Sequence, residues 1–287
     1  MYRKIFSQFI VICIFIFTGQ YLAHASSEWQ DPNVPISFKL KVLPWNEART
    51  IIPRKSIFTL IDVQTGLQFK VQRRAGSQHA DVQPLTAHDT SIMKKIYGGK
   101  WSWKRRAIIV LVDDHMIAAS MHGMPHGAGA LQNKFPGHFC VHFYGSTTHR
   151  LNNEDPIHKL MIMKAGGKDV TYLNTLDPYE LIHLFTLAVN MRDQNLLKIV
   201  MPQYGAVACA KEQIKGISFI SLLSHQGQTK AEDGIVATEI PVKAAYSSKK
   251  HGKQKRMLNL ILIREDLTGR WQIDGTSLCE EIDENNH

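Results

Sequence analysis

The stretch His122–His149, HGMPHGAGALQNKFPGHFCVHFYGSTTH, places four histidines and a cysteine between His122 and His142. Its later part, His138-Phe139-Cys140-Val141-His142-Phe143, is β-branched and aromatic. It lies between a Pro-Gly pair and a Gly-Ser pair, which predicts a short strand. Alternate side chains of a strand share a face, so His138, Cys140 and His142 line one side while Phe139, Val141 and Phe143 enter the core. Gly123, Pro125, Gly127 and Gly129 argue against a helix through the first two histidines. A flexible loop bearing His122 and His126 is therefore expected to arch over a strand that presents a thiol.

Upstream, the residues read mostly as strands. Ser37–Leu43 alternates with period two, Ser56–Asp62 and Gly66–Gln72 form a hairpin around Gln64-Thr65-Gly66, and Ala107–Val112 with His115–Ser120 form a second. Asp89 or Thr90 caps a short helix ending at Ile96. Downstream the texture changes. Apolar residues at Leu181, Leu184, Phe185 and Ala188 have helical spacing within Pro178–Arg192, and Gln194–Val200 reads as a second helix. Gly216–Leu223, Gly234–Tyr246, Arg256–Arg264 and Gly269–Asp274 then read as strands, the α+β order. Lys249–Arg256, with its basic residues, reads as a solvated hairpin tip, the alternative being a polyanion contact. With about 260 residues after the leader, one large or two modest domains fit at about 100–200 residues each. The expected division is a leader over 1–25, a mostly β domain over 26–150, a linker or helical connection over 151–176, and a smaller α+β domain over 177–287.

The leader carries Arg3 and Lys4, an apolar run Phe9–Phe17 and then Ala23-His24-Ala25, the order of a secretory signal. An uncleaved anchor is the competing reading, although the run is shorter than the ~20 residues a spanning helix needs. The formal charge of +9 falls to +7 without the leader's two cations. A basic exported chain suits an anionic partner such as a cell wall or a lipid surface. No nucleic acid partner is expected. Cys140, Cys209 and Cys279 remain, an odd number, so at least one thiol stays free or pairs between chains. Cys140 is the one expected to be free, and a Cys209–Cys279 pairing is left open.

An imidazole near a cysteine lowers the thiol's pKa and carries its proton to a leaving amine. His138 shares the strand face of Cys140, and His122 or His126 can fold back from the loop. Backbone amides around Gly137–Cys140 are candidate oxyanion donors. Trp101-Ser102-Trp103-Lys104-Arg105-Arg106 reads either as core, with both tryptophans on one strand face, or as an aromatic and cationic platform for a glycan or anionic polymer. A metal site is the second class. His138, Cys140 and His142 with a loop histidine offer ligands zinc accepts, as in a zinc-dependent wall hydrolase. His79 with Asp81, and His88 with Asp89, read either as further ligands or as a polar turn and a helix cap. No His-Glu-x-x-His is present. A wall-binding module without catalysis is the third class.

His-Gly, a Gly-rich interval and Gly137-His138-Phe139-Cys140-Val141-His142 together resemble a divergent form of the L,D-transpeptidase signature. That signature runs His-Gly, an interval, Ser/Thr-His-Gly-Cys, and often Arg or Asn two residues later. Ile61–Leu67 is similar to the family's early strand and turn. The resemblance covers roughly residues 55–150. It extends to exported Gram-positive proteins with Trp-Ser-Trp, here Trp101-Ser102-Trp103, ahead of a Met-Pro-His-Gly loop. It implies Cys140 as nucleophile, His138 as the histidine before it, and His126 or His122 as base. Substrate contacts would come from Trp101, Trp103, Arg105, Gly137 and His142. The implied reaction transfers a peptidoglycan stem-peptide acyl group from the bond after diaminopimelate to an acceptor amine, with no cofactor and no metal. Gly137 stands where the family has Ser or Thr, Phe139 where it has Gly, and His142 where it has Arg or Asn. The final region, with Trp271-Gln272-Ile273-Asp274, resembles the nuclear transport factor 2-like cone of helices on a curved sheet.

Overall fold

A computed structural model of the chain describes residues 39–148, 153–202, 208–222, 236–248 and 252–284. The leader read over 1–25 lies outside these residues, as do Lys249, Lys250 and His251 of the basic cluster. The described residues belong to one compact unit, residues 38–287. None of their helices is long and apolar enough to cross a membrane.

The fold is mixed. It opens with β1 (Leu40–Lys41), α1 (Trp45–Ile51), β2 (Ile57–Asp62), β3 (Gln68–Ala75), β4 (Ala80–Pro84) and α2 (Ala87–Ile96). The sheet is completed by β5 (Arg105–Val112), β6 (His115–His122) and β7 (Phe139–His142). Around the sheet the order is β6-β5-β2-β3-β4-β7, and β7 pairs again with β6, so six antiparallel strands close into a barrel while β1 adds parallel to β6. Alternation fills the interior with Phe58, Leu60, Phe69, Val71, Val82, Ile108, Val110, Ile117, Met121, Phe139 and Val141. Asp62 also sits on the inner face and is fully buried. It receives two 2.6 Å bonds from the Arg106 guanidinium and accepts from the Thr65 amide, which fixes the β2–β3 turn where Gly66 has φ +70°.

The second half follows as α3 (Pro156–Ala165), α4 (Asp169–Asn174), α5 (Pro178–Asn190), α6 (Gln194–Val200) and α7 (Ala208–Gly216). A four-stranded antiparallel sheet comes next, ordered β11-β10-β9-β8, from β8 (Ile217–Leu222), β9 (Ala237–Ser248), β10 (Gly252–Ile263) and β11 (Gln272–Ile273), before α8 (Gly275–Glu284). α3 lies across the outside of β5 and β6. The small outward residues Ala107 and Ala118 admit it, and they join Ile157, Leu160, Met161 and the second sheet in one apolar cluster. The close fit continues at Gly166, where a Cβ would stand 2.4 Å from Val42.

Several expectations are corrected. Of the alternating segment 37–43, the described residues 39–43 contribute two strand residues, and α1 follows because Pro44 sits at its N-cap and Ala48 and Trp45 turn inward. His79-Ala80-Asp81, read either as further ligands or as a polar turn, leads into β4, all five of whose residues are buried, which sets aside the turn. Trp101 and Trp103 precede β5 and are not on a strand. The N-cap of α2 is Thr86, with Asp89 closing a capping box. Within 151–176, expected as a linker or helical connection, the described residues form α3 and α4, and at the other end of the fold Asp274 accepts from the Thr276 amide at the start of α8.

Asp62→Ala leaves the Arg106 guanidinium without its partner inside the barrel end. The expected loss is about 3–5 kcal/mol of unfolding free energy, read as a lower denaturant midpoint; a midpoint unchanged from the parent would refute this role.

Candidate functional site

β4, β7 and β6 lie side by side, so their outward residues share one surface. Asp81 stands opposite Cys140, and Ser120 stands opposite His142. Phe139 and Val141 face the barrel core while Cys140 and His142 face out, yet both are buried: His158 of α3 stacks on His142, and His126 of the loop 123–137 reaches Cys140. Arg105 ties this cover down. Its guanidinium donates to Asp155 at 2.7 Å, and Asp155 in turn accepts from the Ile157 and His158 amides at the start of α3. α3 thereby delivers His158 over β6, where its Nδ1 meets Ser120 Oγ at 2.9 Å.

The loop is pinned rather than flexible. The buried Gln83 accepts from the Ala130 amide through its side-chain oxygen and donates to the Gly137 carbonyl at 2.7 Å. His126 and His138 exchange two 2.9 Å backbone bonds. Gly127, at φ +59°, makes this approach feasible, since a Cβ there would fall 2.3 Å from the His138 ring. The same folding engages two of the expected oxyanion donors, because the Gly137 and His138 amides already donate to Phe135 and His126 carbonyls.

Six imidazoles form a chain of ring contacts. His79 stacks on His142 at 4.4 Å and His142 on His158 at 3.8 Å; His158 reaches His122 at 6.1 Å, His122 reaches His126 at 5.2 Å, and His126 reaches His138 at 4.5 Å. Cys140 borders this chain. Its Sγ lies 3.3 Å from His126 Nε2 and 3.8 Å from Asp81 Oδ1. His126 Nδ1 points at the Met124 carbonyl at 3.1 Å, so a proton on Nδ1 leaves Nε2 as the acceptor facing sulfur. His122 takes the Met124 amide on Nδ1 at 3.3 Å, and His138 directs Nδ1 to the Ala128 carbonyl, its Nε2 lying 4.0 Å from Asp81. Of the two candidate bases, His126 is therefore the one with a ring nitrogen facing the sulfur at 3.3 Å.

Burial, then the Asp81 charge and its contact with the sulfur, push the Cys140 thiol far above its ordinary range. Burial, then His126 and Arg105, push His122 well below the ordinary imidazole range; burial, then His142, does the same to His158. Among the described residues Cys140 is the free cysteine, and Cys279 is disulfide-bonded.

Trp103 is half exposed and roofs the opening, its ring 4.7 Å from His122 and 5.7 Å from His126. Trp101 instead packs edge-on against Phe135, with Lys94 over its other face. His142 is buried between His79 and His158. A separate cavity of about 380 Å³, lined by Trp101, Ser102, Lys100, Lys104 and Lys164 among others, lies on the far side of Arg105 and includes none of the six histidines. His158 and Gln83 were missed by the sequence reading. Asp155-Pro156 ahead of an apolar run is the helix-start signal that points to α3, while nothing local marks Gln83. Comparison with protein families, with characterised proteins and with solved structures gives no match for this chain.

Buried His122 and His158 take up no proton near neutrality, whereas the unfolded chain protonates them below about pH 6.5. Their depressed folded pKa values thus contribute stability that is present above pH 6.5 and lost as pH falls below it. The melting temperature should drop between pH 7 and pH 5, with a shallower slope in His158→Gln; identical slopes in the two proteins would remove His158 from the account.

Proposed function

We propose that this protein is an exported, cysteine-dependent acyl transferase of the L,D-transpeptidase type that acts on peptidoglycan stem peptides. The observation that carries the reading is the 3.3 Å approach of His126 Nε2 to Cys140 Sγ, with the far nitrogen of the ring oriented by the Met124 carbonyl. Nucleophile, base and orienting group are the three parts that covalent acyl transfer requires. The barrel with its outward-facing Cys140 strand is what we assign to an L,D-transpeptidase-like domain, and the helices with the four-stranded sheet to a nuclear transport factor 2-like accessory part.

The chemistry follows from the thiol's environment. A sulfur beside Asp81 keeps its proton at neutral pH, so a preformed thiolate and imidazolium pair is not the starting state. His126 Nε2 takes the thiol proton as Sγ attacks the donor carbonyl carbon. The tetrahedral adduct then collapses, the carbon–nitrogen bond breaks, and the imidazolium returns its proton to the departing amine. A thioester on Cys140 is left. The acceptor amine attacks it, His126 accepts the amine proton, and the sulfur leaves and is reprotonated. The donor approaches beside Trp103, His126 and His138, the exposed or partly exposed members of the rim. Arg105 acts on this site by holding α3. The cavity, where Lys100, Lys104, Arg105, Arg106 and Lys164 outnumber Asp62 and Asp193, and the +7 charge that remains without the leader suit an anionic wall polymer as partner.

Incubating the purified protein with a carbapenem should give a covalent adduct by intact mass that is absent in Cys140→Ala. His126→Ala should slow its formation by roughly 10²-fold or more, the usual size of a general-base contribution. An adduct that persists in Cys140→Ala, or no adduct on the parent, would overturn the assignment.

A further inference from the structure

The acyl-transfer chemistry uses one face of Cys140. The other face is bordered by groups that this chemistry leaves idle. The ligand atoms of His79, Cys140 and His142 all lie within 4.8 Å of one another, and all three residues are buried. Asp81 joins them: its Oδ1 is 3.3 Å from His79 Nε2 and 3.8 Å from Cys140 Sγ. Metal bonds of ~2.0–2.3 Å at tetrahedral angles place neighbouring ligand atoms roughly 3.3–3.6 Å apart; the two Asp81 separations are close to this, and the His79, Cys140 and His142 atoms, within 4.8 Å of one another, reach it by a small inward shift on binding.

We propose that His79, Asp81, Cys140 and His142 form a site for a thiophilic divalent cation of the zinc class, and that its occupancy withholds the thiol from acyl donors. Three further observations support the site. One thiolate and one carboxylate sum to two negative charges, which a divalent ion neutralises in a buried position where two adjacent anions are otherwise costly. His79 Nδ1 meets the Thr147 carbonyl at 2.8 Å, which orients the ring with Nε2 toward the cluster, the outer support that metal-bound histidines commonly have. Thiolate, imidazole and carboxylate together are a donor set that zinc accepts in four-coordinate sites.

Ligation exchanges the S–H bond for a sulfur–metal bond, and the thiol proton passes to buffer. The second group around the same sulfur, His122 and His126 with Cys140, is the rival location. His122 is the weaker ligand there, because its Nδ1 is occupied by the Met124 amide. The sulfur cannot serve His126 as a proton donor and the metal as a ligand at once. This masking consequence rests on the acyl-transfer reading, whereas the metal site itself does not.

The test uses the full chain, with zinc content by elemental analysis and cobalt(II) as a spectroscopic probe. The parent should hold about one zinc per chain, and cobalt should give a thiolate-to-metal charge-transfer band that Cys140→Ser removes. His79→Ala and His142→Ala should lose at least tenfold in zinc affinity while His126→Ala keeps it. Because the two buried histidine variants risk misfolding, alkylation of Cys140 is also followed on the parent, where added zinc should slow it and a chelator should restore it. No zinc and no cobalt band in the parent would overturn the site, and zinc lost in His126→Ala but kept in folded His79→Ala would move it to the rival group. Carbapenem adduct formation on zinc-loaded and chelated protein then separates the two proposals. A site that binds metal without slowing the adduct refutes masking alone. Adduct formation on protein that binds no metal refutes the metal site and leaves acyl transfer standing.

Discussion

Closure of the barrel by β7 is the constraint on which the other features depend. This strand is four residues long and is held on both sides, by β4 at three positions and by β6 at two. Strand alternation leaves it no choice once Phe139 and Val141 fill the interior: Cys140 and His142 must face outward. That outer surface carries Asp81, Gln83, Ser120 and His122 from the neighbouring strands. It is polar, and it is sealed from water by α3 and the loop before β7. Each polar group under such a cover needs a partner, or burial costs it several kcal/mol. Gln83, Ser120 and backbone carbonyls supply partners for His79, His126, His158 and the Ala130 amide. The site is therefore a consequence of how the last strand is inserted and covered.

The cover also decides the electrostatics. Water would stabilise a thiolate; beneath α3 and beside Asp81 the protonated thiol is favoured instead. His122 and His158 are held neutral by the same burial. A neutral imidazole can accept a proton but provides no positive charge, so these two rings do not help to stabilise a thiolate. Gln83 and the exchanged His126–His138 backbone bonds keep the accepting nitrogen within reach of sulfur, and Arg105 keeps the cover in place through Asp155. Gln83, His138 and Arg105 thus position the site through bonds that do not involve the sulfur.

Local sequence carried the parts whose pattern is set within one element. The alternation of His138–Phe143, the β5–β6 hairpin, the Pro178–Arg192 spacing and the long strands of the second sheet are all such patterns. β4 shows that alternation does not report exposure: it reads Ala-Asp-Val-Gln-Pro, with Ala80 and Val82 in the barrel core, yet Asp81 and Gln83 on the other face are buried under the cover rather than open to water. The loop was misjudged for a related reason. Its glycines signal conformational freedom, but here they permit close approach, and the contact that fixes them comes from Gln83, 54 residues from Gly137. His158 lay in a segment read as a connection, although Asp155-Pro156 marks a helix start. Which of His122 and His126 meets the sulfur was not decided by spacing, since both are followed by glycine; the turn at Gly127 decides it.

Acyl transfer needs one base, yet six histidines touch in sequence around this thiol. If the outer face required only a seal, aliphatic side chains would provide it with no unsatisfied nitrogen and no loss of stability in acid. Imidazoles retained in a buried position are costly unless their nitrogens are used. His126 uses its nitrogen on sulfur, and His158 uses one on Ser120. His79 uses its nitrogens on the Thr147 carbonyl and Asp81, and stacks on His142 close to the sulfur. If both proposals hold, the base and the ligands would lay competing claims to the same sulfur, and a single thiol can answer to only one of them at a time.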